Sequence, residues 1–136
     1  LLVNYLLHLF IMLHRTINQQ PRSKSHLLMA EMDSAVRYFH ENYNKPISIE
    51  EYATEHHMSI SWFIRNFKEY TNSTPAHYIL SLRISNAQSL LETTNYNVTE
   101  ISEIVGYDNA LYFSRIFKKQ SGFSPSEFRK QLRQDC

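Results

Sequence analysis

Two stretches of the sequence, WFIRNFKEYTNSTP at residues 62–75 and YFSRIFKKQSGFSP at residues 112–125, share five residues at a constant offset of 50. The shared residues are Phe63, Arg65, Phe67, Lys68 and Pro75, which recur as Phe113, Arg115, Phe117, Lys118 and Pro125. In both copies two phenylalanines stand four residues apart, which is the spacing of one helical face, and a proline then starts another helix. The repeat therefore predicts a fold built from two similar helical units.

The similarity extends upstream of these stretches at an offset of 49. The matching pairs are Ile49 with Val98, Tyr52 with Ile101, Ala53 with Ser102, and Met58 with Tyr107. Each copy is therefore a helix, a tight turn and a second helix, followed by a helix that begins with proline. Two short helices joined by such a turn form a helix-turn-helix unit.

Capping residues and glycines mark the predicted helix boundaries. The helix starts are predicted at Ser48, Ser59, Thr74, Asn97, Asn109 and Ser124, and breaks at Asn44-Lys45-Pro46, Gly106 and Gly122. The longest predicted helix covers residues 75–93, and no segment has the pattern of a strand. The sequence thus predicts an all-α, seven-helix domain with two helix-turn-helix subdomains joined by a long linker helix, preceded by an extra N-terminal apolar helix.

The N-terminal segment, residues 1–20, opens with LLVNYLLHLFIMLH, which is shorter than the roughly 20 residues that span a bilayer. It also lacks the features of a secretory signal, so we predict no membrane partner. The apolar helix either packs on its own domain or forms a homodimer. Because the chain starts inside an apolar run without Met, we expect residues 1–20 to be the tail of a missing sensor or dimerisation region. Residues 21–30 are predicted to be a linker, and residues 31–136 the double helix-turn-helix domain.

Composition excludes little, because the formal net charge is only +1. A nucleic-acid partner must therefore be argued from the positions of the basic residues. The single cysteine, Cys136, allows no internal disulfide, which fits a reducing cytosol. The adjacent His56 and His57 point to different helix faces without a nearby cysteine, so we predict no metal site. The sequence has no phosphate-binding loop or nucleophile–base pair, and we predict neither an enzyme nor a cofactor.

A helical wheel of the second helix in each unit separates two faces. The predicted buried face holds Phe63, Asn66 and Phe67 in the first copy and Phe113, Ile116 and Phe117 in the second. The opposite face holds Ser61, Arg65 and Lys68, matched by Leu111, Arg115 and Lys118, with Ile64 and Ser114 beside it and Trp62 and Tyr112 on the other shoulder. Arginine can bind guanine in the major groove, and an apolar side chain can contact a thymine methyl group. The alternatives are solvated arginines, peripheral core packing for Leu111 and Ile64, and a partly buried Trp62.

The predicted linker helix supports DNA binding by both units. Nineteen residues in a helix span about 28 Å. Successive major-groove faces of B-DNA are about 34 Å apart. A stiff helix of this length can place both second helices in adjacent grooves, so that one chain binds a site about two turns long.

The sequence VGYDNALYFSRIFKKQSGFSPSEFR at residues 105–129 resembles the signature of the AraC/XylS transcription regulators, and LRISNAQSLLETT at residues 82–94 resembles that family's linker helix. The resemblance implies recognition helices at about 59–71 and 109–121 and a regulator of transcription, most often an activator. Its partners would be double-stranded promoter DNA and RNA polymerase, in the bacterial cytoplasm. The family's base-facing positions fall on Ser61, Trp62, Ile64, Arg65, Ala110, Leu111, Ser114 and Arg115.

Some positions differ from the family's usual pattern. Asn72 stands where glycine is common, and asparagine tolerates the left-handed conformation. Ile64, Ala110 and Leu111 cannot hydrogen-bond to bases, so we expect few direct hydrogen bonds, methyl contacts and recognition of DNA shape.

Contacts to DNA phosphates are predicted at helix N-termini and nearby donors. The candidates are Ser48, Ser59, Thr99 and Asn109, which we also expect to be helix caps, and Lys68, Lys118 and Lys119. The alternative function is a helical protein-interaction module that binds a partner through Leu111, Ile64 and Trp62.

Overall fold

The structure, a computed structural model, describes residues 24–135 together with Val3, Leu6, Leu7, Leu9, Phe10 and Leu13. Cys136 and the rest of residues 1–23 lie outside this part of the chain, and so do the predictions made for them. Residues 24–135 contain seven α-helices and no strand, which confirms the predicted all-α fold. The helices are α1 (Lys24–Asn42), α2 (Ile49–Glu55), α3 (Ile60–Thr71), α4 (Pro75–Thr93), α5 (Val98–Ile104), α6 (Ala110–Ser121) and α7 (Pro125–Gln134).

Side-chain caps start six of these helices at the predicted residues. The side-chain oxygens of Ser48, Ser59, Thr74, Asn97, Asn109 and Ser124 each accept a hydrogen bond from the backbone N–H three residues later. The reciprocal bond of a full capping box is present at Asn97 and Ser124. At Ser124 the backbone N–H donates to Glu127, and this bond lowers the pKa of that carboxyl group.

Helix α1 begins at Lys24, inside the segment that was predicted to be a linker. Leu28 packs against the core one turn before the buried Met32, so the apolar face of the helix continues upstream. Packing of this face against the core stabilises the helix from Lys24 onward. Such tertiary contacts cannot be read from the neighbouring residues in the sequence.

Two hydrophobic cores are arranged along α4. The first core comprises Met32, Ala35, Phe39, Tyr52, Ala53, Phe63, Phe67 and Ile79. The second comprises Ile84, Ala87, Leu91, Ile101, Val105, Tyr107, Phe113 and Phe117. Helix α4 thus contributes buried residues to both cores, and Tyr43 packs against both. We call residues 24–74 with the first half of α4 the first unit, and the remainder up to residue 135 the second unit.

Corresponding turns of the two units adopt left-handed backbone conformations. His57, with φ of 58°, and Gly106, with φ of 102°, occupy equivalent turns between the paired helices. The second helix of each pair ends at Asn72, with φ of 61°, and at Gly122, with φ of 85°. Asparagine and glycine are the residues that tolerate this conformation best, so both helix ends follow the prediction.

The six described residues near the N-terminus are helical, and each has 53–71% of its surface exposed. Within the residues that the structure describes, no helix has both the length and the apolarity needed to span a bilayer.

Gly106 should tolerate no side chain. A Cβ atom there would lie 2.8 Å from the carbonyl oxygen of Asn44, in addition to the strain of its left-handed φ. We expect Gly106→Ala to lower the free energy of unfolding by about 2–4 kcal/mol. The matched control is Gly122→Ala, whose Cβ would have no heavy atom within 4 Å. We expect it to cost about 1 kcal/mol. Urea denaturation measures both, and equal losses in the two variants would contradict the steric argument.

Candidate nucleic-acid interface

Helix α3 has one buried and one exposed face, as the wheel predicted for its phenylalanines. Phe63 and Phe67 are fully buried in the first core. Ser61, Arg65 and Lys68 are exposed on the other side. Arg65 and Lys68 are therefore accessible to a ligand, on a helix that two buried phenylalanines anchor to the core.

Helix α6 repeats this arrangement in the second unit. Phe113 and Phe117 are fully buried, whereas Arg115, Lys118 and Lys119 are exposed. The helix contains no acidic residue. Its outer surface is therefore more basic than that of α3, which carries Glu69 beside Lys68.

Leu111 is 64% exposed at the start of α6. Its predicted alternative, peripheral core packing, is thus not what the structure shows. Tyr112, which was not among the predicted site residues, is 57% exposed beside it. Its ring meets the ring of Tyr107 edge-on, with the centroids 6.0 Å apart. Tyr112 is the counterpart of Trp62, a predicted base-facing residue, so the repeat itself is the signal in the sequence that points to Tyr112.

Four of the predicted base-facing residues are half-buried: Trp62, Ile64, Ala110 and Ser114. Trp62 packs against the first core, in line with the alternative considered for it. The hydroxyl group of Ser114 donates to the carbonyl oxygen of Ala110 at 2.9 Å, which leaves its oxygen as an acceptor.

Asn66 and Ile116 are half-buried, so the wheel overestimated the width of the buried face. The side-chain amide of Asn66 donates to the carbonyl oxygen of Trp62 at 2.8 Å. Ile116 faces a cleft of about 600 Å³ between the two units, where it stands near Leu80 and Tyr107. The two units are therefore not packed flush against one another.

The predicted phosphate-contact residues comprise four residues at helix starts and three exposed lysines, Lys68, Lys118 and Lys119. Ser48, Ser59 and Asn109 cap their helices, and all three are exposed. Thr99 is exposed but is not a cap, which corrects the prediction, because Asn97 caps α5 and Thr99 already lies within the helix. The carbonyl oxygen of Thr99 accepts a hydrogen bond from the buried Ser102.

In the described part of the chain, no cluster of three histidine, cysteine or acidic side chains is suited to hold a metal ion. The basic side chains exposed on α3 and α6 favour a polyanionic ligand.

The fold and these surfaces define a class of protein: a double helix-turn-helix domain for binding DNA. Residues 52–131, more than half of the chain, match the family model for a helix-turn-helix domain. The chain belongs to the AraC family of transcription regulators and corresponds to their DNA-binding domain.

Two curated relatives and one solved structure illustrate the similarity. The MmsAB operon regulatory protein of Pseudomonas aeruginosa is 34% identical over 76% of this chain and 34% of its own length. The transcriptional activator RhaR of Mannheimia succiniciproducens is 29% identical over 93% of this chain and 45% of its own. The DNA-binding domain of AdpA, solved in complex with a target DNA, aligns with a TM-score of 0.66 and 30% identity, covering 79% of this chain and 94% of that one. The chain thus spans between a third and a half of the length of these curated relatives.

Leu111 and Ile64 should respond differently to truncation. Because Leu111 is mostly exposed, we expect Leu111→Ala to change the free energy of unfolding by less than about 0.5 kcal/mol. Ile64 is half-buried, so Ile64→Ala should cost about 1–2 kcal/mol. Urea denaturation of both variants tests this. A loss above about 1 kcal/mol for Leu111→Ala would show that the side chain packs within the domain.

Proposed function

We propose that the chain binds double-stranded promoter DNA sequence-specifically, with α3 and α6 in adjacent major grooves, and so regulates transcription. The observation that carries this proposal is the position of Arg65 and Arg115. They occupy equivalent sites in the two units, both are exposed, and each lies on a helix whose opposite face is held by two buried phenylalanines.

The length of α4 supports insertion into adjacent grooves. Its 19 residues, Pro75–Thr93, span about 28 Å, which is comparable to the distance of about 34 Å between successive major-groove faces. Because α4 contributes buried residues to both cores, it connects the two units that contain these helices.

Base contacts would come from the exposed ends and centres of the recognition helices. Arg65 and Arg115 are suited to bind guanine through two hydrogen bonds, and Leu111 is suited to contact a thymine methyl group. Ser61 adds a hydroxyl group on α3. The half-buried Trp62, Ile64, Ala110 and Ser114 would contribute at the edges of the contact. Ile64, Ala110 and Leu111 cannot hydrogen-bond to bases, so recognition would also depend on DNA shape.

Phosphate contacts would position the domain on the duplex without selecting a sequence. Lys68, Lys118 and Lys119 supply positive charge next to the recognition surfaces. The backbone N–H groups at the helix starts would contribute as well, with Ser48, Ser59, Thr99 and Asn109 as nearby donors.

The regulatory outcome we propose is activation, through contact with RNA polymerase at a bacterial promoter. RhaR, a relative named as an activator, supports this direction. The place of action would be the nucleoid in the cytoplasm.

Removing either arginine should weaken specific binding. The preferred site is first obtained by selection of bound duplexes from a random library. In band-shift titrations with that site, Arg65→Ala and Arg115→Ala should each raise the dissociation constant by roughly 5–150-fold, equivalent to about 1–3 kcal/mol. The matched control is Arg37→Ala, which removes an exposed arginine of α1 outside both recognition helices.

Unchanged affinity in both variants would contradict this model of base recognition. The same titrations distinguish the alternative function, a helical protein-interaction module that binds a partner through Leu111, Ile64 and Trp62. Binding to DNA falls steeply as salt rises because counterions are released, whereas an apolar interface hardly responds. Lys118→Ala should reduce the slope of log K against log salt by about 1.

We further propose that residues 1–20 form a homodimer contact. The support is the exposure of Val3, Leu6, Leu7, Leu9 and Leu13, an apolar surface that water disfavours. By light scattering, the full chain should be a dimer and a chain shortened to begin at Ser25 a monomer. A full-length double variant, Leu6→Glu with Leu13→Glu, should also be a monomer. Equal monomeric masses for the full and shortened chains would overturn the dimer.

A further inference from the structure

Arg83, on the linker helix α4, is hydrogen-bonded to backbone carbonyl groups of both units. Its Nε donates to the carbonyl oxygen of Tyr43 at 2.7 Å, and one terminal nitrogen donates to that of Lys45 at 3.0 Å. These carbonyl groups follow the end of α1, where the helix dipole favours a cation. The other terminal nitrogen donates to the carbonyl oxygen of Gly106, in the turn of the second unit, at 3.4 Å.

The guanidinium group of Arg83 also lies over the ring of Tyr107, 5.0 Å from its centroid. Burial raises the pKa of the Tyr107 hydroxyl, and the positive charge of Arg83 acts in the opposite direction. The Tyr107 ring belongs to the second core, whereas the guanidinium group above it is hydrogen-bonded to carbonyl oxygens at the end of α1. This contact therefore joins the two units. A cation over an aromatic face contributes attraction in addition to the hydrogen bonds.

Arg129, on α7, makes a similar set of contacts that stays within the second unit. Its guanidinium nitrogens donate to the carbonyl oxygens of Leu91 at 3.1 Å, Thr94 at 3.2 Å and Tyr96 at 2.6 Å. Arg129 therefore caps the end of α4 as Arg83 caps the end of α1. The difference is that Arg83 continues across to the other unit.

Arg83 lies at the junction between the two units, beside an open cleft and a close backbone contact. The open cleft of about 600 Å³ separates parts of the two units, and Arg83 is one of its lining residues. Beside it, Gly106 lies so close to Asn44 that a Cβ atom would be 2.8 Å from its carbonyl oxygen. Close contact and directional hydrogen bonds thus meet at the edge of this cleft.

We propose that Arg83 is a positioning residue that sets the angle between α3 and α6, and with it the spacing between DNA half-sites that the chain accepts. This inference rests on the proposed function for its effect on DNA. One added base pair rotates the far half-site by about 34° and moves it by about 3.4 Å. A rigid pair of recognition helices rejects such a site, whereas a loosened pair can follow it.

The first experiment measures spacing preference. The selected site is compared with versions that have one base pair inserted or removed between the half-sites. We expect the wild-type chain to prefer the selected spacing by at least about tenfold, and Arg83→Lys to reduce this preference below about threefold. A lysine keeps the charge, but its three N–H donors radiate from a single nitrogen and do not reproduce the fork of the guanidinium group, in which each of three nitrogens meets a different carbonyl oxygen. Arg129→Lys is the matched control, which should lower thermal stability and leave the preference unchanged.

The second experiment needs no DNA, so it separates this inference from the proposed function. Two exposed positions are changed to cysteine, Glu69→Cys and Gln120→Cys, in a full chain that also carries Cys136→Ser. Spin labels are then attached to the two introduced cysteines. Pulsed electron resonance should give a narrow distance distribution for the wild type and for Arg129→Lys, and a clearly broader one for Arg83→Lys. A chain that shows this broadening but no specific DNA binding would refute the proposed function and keep the bridge.

A folded Arg83→Lys variant with the wild-type distance distribution and the wild-type spacing preference would overturn the proposal. If circular dichroism shows that Arg83→Lys does not fold, Tyr107→Leu is measured instead. That change removes the ring contact in the second unit and leaves the bonds of Arg83 to Tyr43 and Lys45 in place. It should broaden the distance distribution and weaken the spacing preference, and no effect on either would equally overturn the proposal.

Discussion

The burial of α4 in two hydrophobic cores is the constraint on which the arrangement of the two units depends. Ile79 is buried in the first core, and Ile84 and Leu91 are buried in the second. Burying one such side chain stabilises the fold by about 1.5–3 kcal/mol, so moving either unit along α4 would carry a cost of at least this size. The helix between these residues is continuous, so one helix axis connects the two cores. Rotation of one unit about the other is restrained by different contacts, since an open cleft lies between them.

The sequence predicts well those parts of the fold that depend on neighbouring residues. A cap such as Asn97 bonds to a backbone N–H three residues away, so residue type and spacing contain the necessary information. The start of α1 is different, because Leu28 packs against a core assembled from distant segments. Arg83 is a stronger case, because its carbonyl partners lie 40, 38 and 23 positions away in the sequence. No local pattern indicates such contacts.

The sequence predicts part of the candidate site, because some of its features also depend on residues that are close in the sequence. The pattern of phenylalanines fixes which side of α3 and α6 is buried, and the exposed positions of Arg65 and Arg115 follow from it. The edges of each face depend on what covers them, and the two units differ there. Trp62 packs against the first core, whereas Tyr112, its counterpart, has more than half of its surface exposed. A repeat in sequence therefore predicts a repeat of the helices but not an equal exposure of corresponding side chains.

Because corresponding side chains differ between the two units, the units would contribute differently to DNA binding. Attraction to phosphates depends on charge, and both units repeat an arginine and a lysine at equivalent positions. Discrimination between bases depends on the side chains around that arginine, and here Ser61 in the first unit is replaced by Leu111 in the second. These two side chains favour different base edges. The hydroxyl group of Ser61 can hydrogen-bond to a base, whereas the isobutyl group of Leu111 can contact a thymine methyl group. On the proposed function, one rigid chain would therefore read two unlike half-sites. The order of those half-sites would then fix the direction in which the domain lies on a promoter.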